Sequence, residues 1–102
     1  MSHEEIIDYL IRMVEKEQQT HIRSAAVAAL GGIGTERCIN VLISLLSHKE
    51  WETRGSAAWS LGYAKDKKVL PKLKNALKKE KNDYVKGQLE DAIEQLKALE
   101  EK

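Results

Sequence analysis

Apolar residues recur at intervals of three and four positions along most of the chain. One set comprises Ile22, Ala25, Ala26, Ala29, Leu30 and Ile33, and the next comprises Cys38, Ile39, Leu42, Leu45 and Leu46. This spacing places apolar side chains on one face of a helix, whereas a half-buried strand would require strict alternation. The pattern predicts an all-α protein of six helices, at about residues 3–17, 20–33, 36–47, 50–64, 67–80 and 82–101. With 102 residues, we expect a single domain over residues 1–102.

Residues typical of helix ends stand at the predicted boundaries. Ser2 followed by Glu5 is a capping-box pattern, and Gly34 stands where a helix C-terminus favours a left-handed residue. Pro71 falls in the first turn or so of its predicted helix, where its missing N–H costs little. The other candidate N-caps are Thr20, Thr35, Asp66 and Asn82. These end signals agree with the helices that the periodicity predicts.

The helical pattern repeats along the chain. A shift of 31 residues aligns Arg23 with Arg54 and Gly31 with Gly62, and a further shift of 32 residues aligns Arg54 with Lys86. The segments between them align in the same way, so two helix types alternate. We call the second, fourth and sixth helices A-type and the first, third and fifth helices B-type. Helix pairs that cannot bury their apolar faces alone stack and share a continuous core. The sequence therefore predicts an α-α superhelix, a short solenoid of about three helical hairpins.

Small residues are concentrated on the A-type helices. The first copy has Ala25, Ala26 and Ala29 where the second copy has Ser56, Ala57 and Ser60. These positions predict a close approach between neighbouring helices, with Leu and Ile filling the remaining gaps. Trp59 stands where the first copy has Ala28. A large ring there either fills a gap between adjacent helices, which we favour, or projects as an anchor for a partner.

Two stretches carry a family resemblance, "IRSAAVAALGGIGTERCINVLISLL" and "TRGSAAWSLGYAKDKKVLPKLKNAL". They resemble the short HEAT-like repeats named after phycobilisome lyases, with an Arg, an Ala-rich helix, a Gly-rich end and a second helix opening near a proline. The departures are Thr35 at the turn acid that Asp66 keeps, Asn40 at the proline that Pro71 keeps, and Lys86 in place of arginine. The resemblance implies a scaffold that binds a partner across the surface of the array.

Composition narrows the function classes. The 17 basic and 16 acidic residues almost cancel, so no overall field draws the chain to nucleic acid or to a membrane. The N-terminal stretch "MSHEEIIDYL" lacks the pattern of a secretory signal, and no apolar run reaches the roughly 18 residues of a membrane span. The single cysteine fits a reducing compartment. We therefore expect a cytoplasmic protein without membrane contact or cofactor.

The residues that could carry catalysis are scattered. His3, His21 and His48 stand near predicted helix ends without the spacing of a metal-binding motif. Cys38 aligns with apolar residues in the other copies, so we expect a buried core side chain and no nucleophile. The "GGIG" stretch follows a helix, whereas a dinucleotide-binding loop follows a strand. The sequence therefore predicts a non-catalytic protein, with no catalytic residue and no metal ligand.

The strongest local charge lies in residues 65–81, where eight lysines stand against Asp66 and Glu80. The leading hypothesis is a protein-interaction module that binds an unidentified protein through the polar side of its B-type helices. The alternative is nucleic-acid binding through the lysine-rich face of residues 65–81, since lysines at helical spacing suit a phosphate backbone. The predicted partner-binding residues are Asp8, Arg12, Asn40, Ser44, Lys68, Lys72 and Asn75, with Trp51 as a partly exposed aromatic residue.

The first helix holds more apolar residues than a single stripe can bury against one neighbour. Solenoids normally carry polar caps at their ends, and the acidic last helix resembles such a cap whereas the first does not. Because a self-complementary patch pairs most readily about a two-fold axis, the sequence predicts a homodimer or a partner contact through the first helix. This contact is centred on Tyr9 and Met13.

Overall fold

The computed structural model describes residues 2–100 and confirms the all-α fold. Within that range it contains six α-helices and one 3-10 turn, Lys67–Val69. Against the predicted bounds, α3 ends two residues early and α5 starts three residues late, while residue 101 lies outside the described range. The helices are α1 (His3–Lys16), α2 (Thr20–Ile33), α3 (Glu36–Leu45), α4 (Trp51–Ala64), α5 (Leu70–Lys79) and α6 (Asp83–Glu100).

The helices form two layers. The A-type helices α2, α4 and α6 pack side by side, with α4 in the middle. The B-type helices cover them: α1 packs on α2, α3 packs on both α2 and α4, and α5 packs on α6. The resulting slab measures 38 × 31 × 16 Å. We call the α2–α4 contact the first joint and the α4–α6 contact the second joint.

The core lies between the two layers and is built from aliphatic side chains. Its largest fully buried members include Leu30, Leu42, Leu61, Leu73, Leu89 and Leu96. Because each helix of an α/α hairpin buries only one face, the core runs without interruption from α1 to α6. Leucine fills it well, since cores pack as densely as organic crystals.

Close contacts at the two joints use glycine on one helix and a small residue on the next. A Cβ on Gly31 would lie 2.8 Å from the Ser60 Cβ and 2.9 Å from the Ser60 carbonyl oxygen. A Cβ on Gly62 would lie 3.0 Å from both Cα and Cβ of Ala92. The prediction of close approach through small residues holds for Ser60, and Ala26 and Ala57 are also buried. It is wrong for Ala25 and Ala29, which face solvent.

The helix ends follow the predicted signals in part. The Ser2 and Glu5 capping box is present, the Asn82 side chain accepts from the backbone N–H of Val85 at 3.0 Å, and Gly34 ends α2 with a φ of 67°. Asp66 caps the 3-10 turn. One predicted cap is wrong: Thr20 lies inside α2, whose N-cap is Gln19. Thr35 occupies the predicted N-cap position of α3, but its hydroxyl donates to Cys38 Sγ at 3.2 Å and makes no capping hydrogen bond to the backbone.

Candidate functional site

Arg23 holds the first joint from a buried position. Its Nε and Nη2 donate to the carbonyl oxygen of Glu17, at 3.2 and 2.7 Å, and so satisfy the end of α1. Its Nη1 donates to Thr53 Oγ1 at 3.0 Å and pairs with the carboxylate of Glu50. We call this set the Arg23 clamp. Through Arg23, the clamp ties the end of α1 and the start of α2 to the start of α4.

Arg54 stands at the equivalent position of the next repeat and forms the Arg54 clamp. Its Nη1 donates to the carbonyl oxygens of His48 and Lys49. Its Nε and Nη2 donate to the two carboxylate oxygens of Glu80, at 2.8 and 3.0 Å. That hydrogen bonding lowers the pKa of Glu80, whose carboxylate also accepts from the backbone N–H of Asn82. The clamp fixes the loop before α6 against the start of α4.

A groove of about 510 Å³ lies beside the Arg54 clamp. The end of α3, the outer side of α5 and the loops before α4 and α6 line it. Glu80 also lines the groove, but its charge is matched by Arg54. We call this the basic groove, after its cationic lining residues Lys49, Arg54, Lys72, Lys79 and Lys81.

The four groove lysines leave their charges available. In the described part of the chain, none of them forms an ion pair with a carboxylate. All four are exposed. Asn75, which follows Lys72 by nearly one turn of α5, lines the groove between Lys72 and Lys79. The groove therefore presents concentrated positive charge in a molecule whose net charge is only +1.

The structure distributes the residues that the sequence predicts for partner binding over several places. Lys72 and Asn75 meet in the basic groove. Lys68 is exposed on the 3-10 turn, while Arg12 on α1 is also exposed. Asn40 and Ser44 lie exposed on α3, and the Ser44 hydroxyl donates to the carbonyl oxygen of Val41 at 2.6 Å.

Asp8 lies instead in an ion-pair cluster between α1 and α3. Arg37 of α3 pairs with the carboxylate of Asp8 and, at 3.0 Å, with that of Glu4. These hydrogen bonds and charges raise the pKa of Arg37, with the hydrogen bond to Asp8 as the main cause. Asp8 is therefore already engaged within the chain.

Lys49 and Arg54 line the basic groove but were not among the binding candidates from the sequence. Lys49 and Lys81 come from two loops and stand 32 residues apart. Lys79 and Lys81 belong to the lysine-rich stretch of residues 65–81 that the sequence offered for nucleic acid, and Arg54 was singled out as a repeat position. The available signal was a lysine in each loop that leads into α4 and α6.

An aromatic surface covers the outer side of the A-type layer. Trp59 is 48% exposed, so the prediction that it fills a gap between helices is wrong: its position on α4 points away from the core. Trp59 stacks on Tyr63, with ring centroids 5.5 Å apart. Trp51 is exposed, as expected, and meets Tyr84 edge-to-face at 5.6 Å.

A second groove, of about 390 Å³, lies in this aromatic surface. Its lining combines two aromatic rings with small and polar residues from all three A-type helices. All the lining residues are uncharged, in contrast to the basic groove. We call this the aromatic groove, lined by Ser24, Ala28, Gly55, Ser56, Trp59, Ser60, Tyr84 and Gln88.

The remaining candidate residues take up separate positions. Cys38 is fully buried in the core. His3 and His21 are exposed, whereas His48 is half-buried and its Nδ1 accepts from the backbone N–H of Glu50 at 3.0 Å. Burial, with a contribution from the charge of Arg23, lowers the pKa of His48.

Among residues 2–100, no group of three or more His, Cys, Asp and Glu side chains is arranged to hold a metal ion. None of the described helices has the length and apolar character needed to cross a bilayer.

The family model of HEAT repeats matches residues 7–94. The chain therefore belongs to the HEAT repeat family, whose stacked helix pairs create extended surfaces for binding partners. The match confirms the HEAT-like character that the two repeated stretches indicate. The finer assignment to the phycobilisome-lyase type stays a prediction.

Similar proteins include one curated relative and two solved structures. An uncharacterized protein in the gldA 3' region of Geobacillus stearothermophilus is 37% identical over 79 residues, which are 76% of this chain and 36% of that protein. A crystal structure of epoxyqueuosine reductase with a tRNA-Tyr epoxyqueuosine-modified tRNA stem loop matches with a TM-score of 0.70 and 32% identity. Selenomethionine-labelled epoxyqueuosine reductase matches with a TM-score of 0.69 and 32% identity. Each alignment covers 74% of this chain and 20% of the reductase chain, so the chain spans only a minor part of these proteins.

Proposed function

We propose that this HEAT repeat module binds RNA, without catalysis of its own, by holding the phosphate backbone in the basic groove. The observation that carries the proposal is the set of four exposed lysines, free of ion pairs in the described residues, on three sides of one groove. The likeness to a segment of a reductase that was crystallised with a tRNA stem loop supports RNA as the nucleic acid.

Lysines bind phosphate as point charges and release condensed counterions when they do so. Lys72 and Lys79 stand seven residues apart on α5, nearly two helical turns or about 10 Å, so they reach two separate phosphates of one strand. Lys49 and Lys81 extend the charge from α5 to the loops. The groove lining holds no aromatic residue on which a base could stack. The lysines of the groove contact the phosphate backbone, which positions the RNA and carries no sequence information.

The test is fluorescence anisotropy with a labelled RNA stem loop, titrated with salt from about 50 mM. Four phosphate contacts predict a log–log slope of about −3 to −4. The Lys72→Gln, Lys79→Gln double variant should make the slope shallower by about 2. Lys74→Gln, Lys78→Gln is the matched control, because these lysines lie on α5 outside the groove lining. Equal losses in the two variants, or no binding at low salt, would contradict the proposal.

A protein contact through the first helix is the second candidate. The observation that favours it is the exposure of Tyr9, 51%, beside Met13, which is only partly covered at the end of the array. A two-fold contact would place these residues against their copies. Sedimentation equilibrium over a wide concentration range tests this candidate. Dimerisation lost in Tyr9→Glu is the expected result, and a strict monomer at all concentrations would refute it.

A further inference from the structure

The N-terminal ends of α4 and α6 bring residues of the basic groove close in sequence to exposed aromatic residues. Lys49 and Lys81 line the basic groove from the loops before α4 and α6. Trp51 and Tyr84 follow them by two and three residues, and their rings meet at 5.6 Å. Tyr84 also lines the aromatic groove. The N-terminal ends of α4 and α6 therefore carry cations of the basic groove and, within three residues of them, the exposed rings of Trp51 and Tyr84.

The aromatic groove has the chemistry of a site for a neutral, planar group with polar edges. Trp59 and Tyr84 offer ring faces, and Gln88 offers an amide donor and acceptor. The hydroxyl of Ser56 donates to that of Ser24 at 3.1 Å, which leaves further hydrogen-bonding capacity in the groove. A charged side chain would meet no opposite charge among the lining residues. A wholly apolar segment would leave these polar groups without partners on burial.

Gly55 lets the ring of Tyr84 lie close to α4. A Cβ at Gly55 would lie 3.3 Å from Tyr84 Cε1 and 3.6 Å from Cδ1. Without a side chain there, the tyrosine ring lies close over the backbone of α4. Tyr84 is still 59% exposed, so the ring offers much of its surface to a ligand.

We infer that the aromatic groove receives an unpaired nucleobase of the RNA whose backbone lies in the basic groove. This inference rests on the proposed RNA-binding function and adds a substrate class: RNA with unpaired nucleotides next to a paired stem. Bases in a continuous duplex are already stacked and paired, whereas loop bases are free to stack on aromatic side chains. The module should therefore prefer a stem loop to a continuous duplex.

The experiment compares two labelled RNAs in anisotropy titrations, a hairpin and a blunt duplex with the same stem sequence. The wild-type chain should bind the hairpin more tightly. Tyr84→Leu should weaken hairpin binding by about tenfold, as expected for the loss of one stacked base, and should leave duplex binding unchanged. Tyr84→Phe should keep the preference because it keeps the ring. This variant is the matched control for Tyr84→Leu, since it changes the same position without removing the aromatic ring.

The outcomes separate the two proposals. No binding of either RNA refutes the basic-groove function itself. Equal affinity for hairpin and duplex, or full hairpin affinity in Tyr84→Leu, overturns the base-stacking inference and leaves the basic groove in place. Circular dichroism confirms that each variant is folded, and Trp59→Leu repeats the test on the other ring of the groove.

Discussion

The first and second joints use an arginine at the same repeat position in different ways. Arg23 is more deeply buried than Arg54, and its acidic partner, Glu50, has a side chain that is 33% exposed. Arg54 is more exposed, but it holds both oxygens of Glu80, whose side chain is only 5% exposed. The first clamp thus buries the cation, and the second buries the anion.

The difference shows that a repeated residue does not imply a repeated environment. In the first joint, one carbonyl oxygen and the Thr53 hydroxyl take most of the hydrogen bonds of Arg23. In the second joint, the carboxylate of Glu80 takes two donors of Arg54. At the third equivalent position, Lys86 lies 3.9 Å from Asp83 on its own helix. The clamps therefore change from one repeat to the next.

Removing the arginines should give the largest effects. Arg54→Met leaves a buried carboxylate without its cation and should lower the free energy of unfolding by about 3 kcal/mol. Arg23→Met should cost about 2 kcal/mol, because its hydrogen-bond partners lose their donor but Glu50 regains water. Lys86→Met should change stability by less than about 0.5 kcal/mol. Urea unfolding measures all three, and a larger loss for Arg23→Met than for Arg54→Met would contradict the contrast between the clamps.

The arginine variants should cost more at the second joint, whereas alanine in place of the joint glycines should cost more at the first joint. Gly31→Ala forces the Ser60 backbone to move and should cost about 1–3 kcal/mol. Gly62→Ala meets Ala92 at a slightly longer distance and should cost less. Gly32→Ala is the control on the same helix: nothing lies within 4 Å of its Cβ position, so it should stabilise by about 0.5–1 kcal/mol. Thermal unfolding gives the three values. Destabilisation by Gly32→Ala would contradict the expected gain in helix propensity at an open position.

The ends of α2 and α4 offer a smaller test at equivalent positions. Gly34 and Lys65 both adopt left-handed conformations, with φ of 67° and 59°. A side chain costs roughly 1–2 kcal/mol there, so Gly34→Ala should destabilise by about 1 kcal/mol. Lys65→Gly should relieve the strain and stabilise by up to about 1 kcal/mol, less the added freedom of the unfolded chain. Chemical unfolding measures the change in unfolding free energy for each variant. Changes of the same sign in Gly34→Ala and Lys65→Gly would contradict this explanation.

Acidification should give the smallest effect and should act first on His48 and then on Glu80. The pKa of His48 is lowered from 6.5, mainly by burial, so the unfolded chain takes up a proton first and stability falls below that pH. The pKa of Glu80 is lowered from 4.5, mainly by its hydrogen bonds from Arg54. Its stabilisation is present above 4.5 and is lost as the pH falls through its folded-state pKa.

Two variants separate these groups. His48→Gln should remove the first part of the loss, which begins as the pH falls below 6.5, and Glu80→Gln should remove the part below 4.5. Each effect should stay within about 1 kcal/mol. Unfolding free energies measured along a pH series check both. A parallel pH dependence in wild type and both variants would assign the acid sensitivity to other groups.

Local patterns predicted the helices and several of their ends, because spacing and capping depend on residues close in sequence. The Ser2 and Glu5 box and the Asn82 cap are such cases. Thr20 failed as a cap because it is the first residue of α2, and Gln19 occupies the N-cap position before it. The sequence could place lysines on α5 but not the whole basic groove. Lys49 and Lys81 meet there only because the second joint brings two loops together.

Trp59 shows where repeat logic was misleading. A helix inside a stack is expected to be covered on several sides, and this favoured burial. The three A-type helices instead form a single outer layer, so one side of α4 has no neighbour among the described residues, and Trp59 lies on that side. The tyrosine at position 84 gave no repeat signal either, because the equivalent residue of the previous copy is Glu52.

The exposure of both tryptophans gives the protein an intrinsic optical reporter. Trp51 and Trp59 are the chain's two tryptophans, and each is close to half exposed. Their indole rings therefore fluoresce in contact with water and are open to collisional quenchers. Trp59 lines the aromatic groove and Trp51 contacts Tyr84 at its edge, so a ligand that covers this surface shields both fluorophores. Emission wavelength and quenching report occupancy directly, in unlabelled protein.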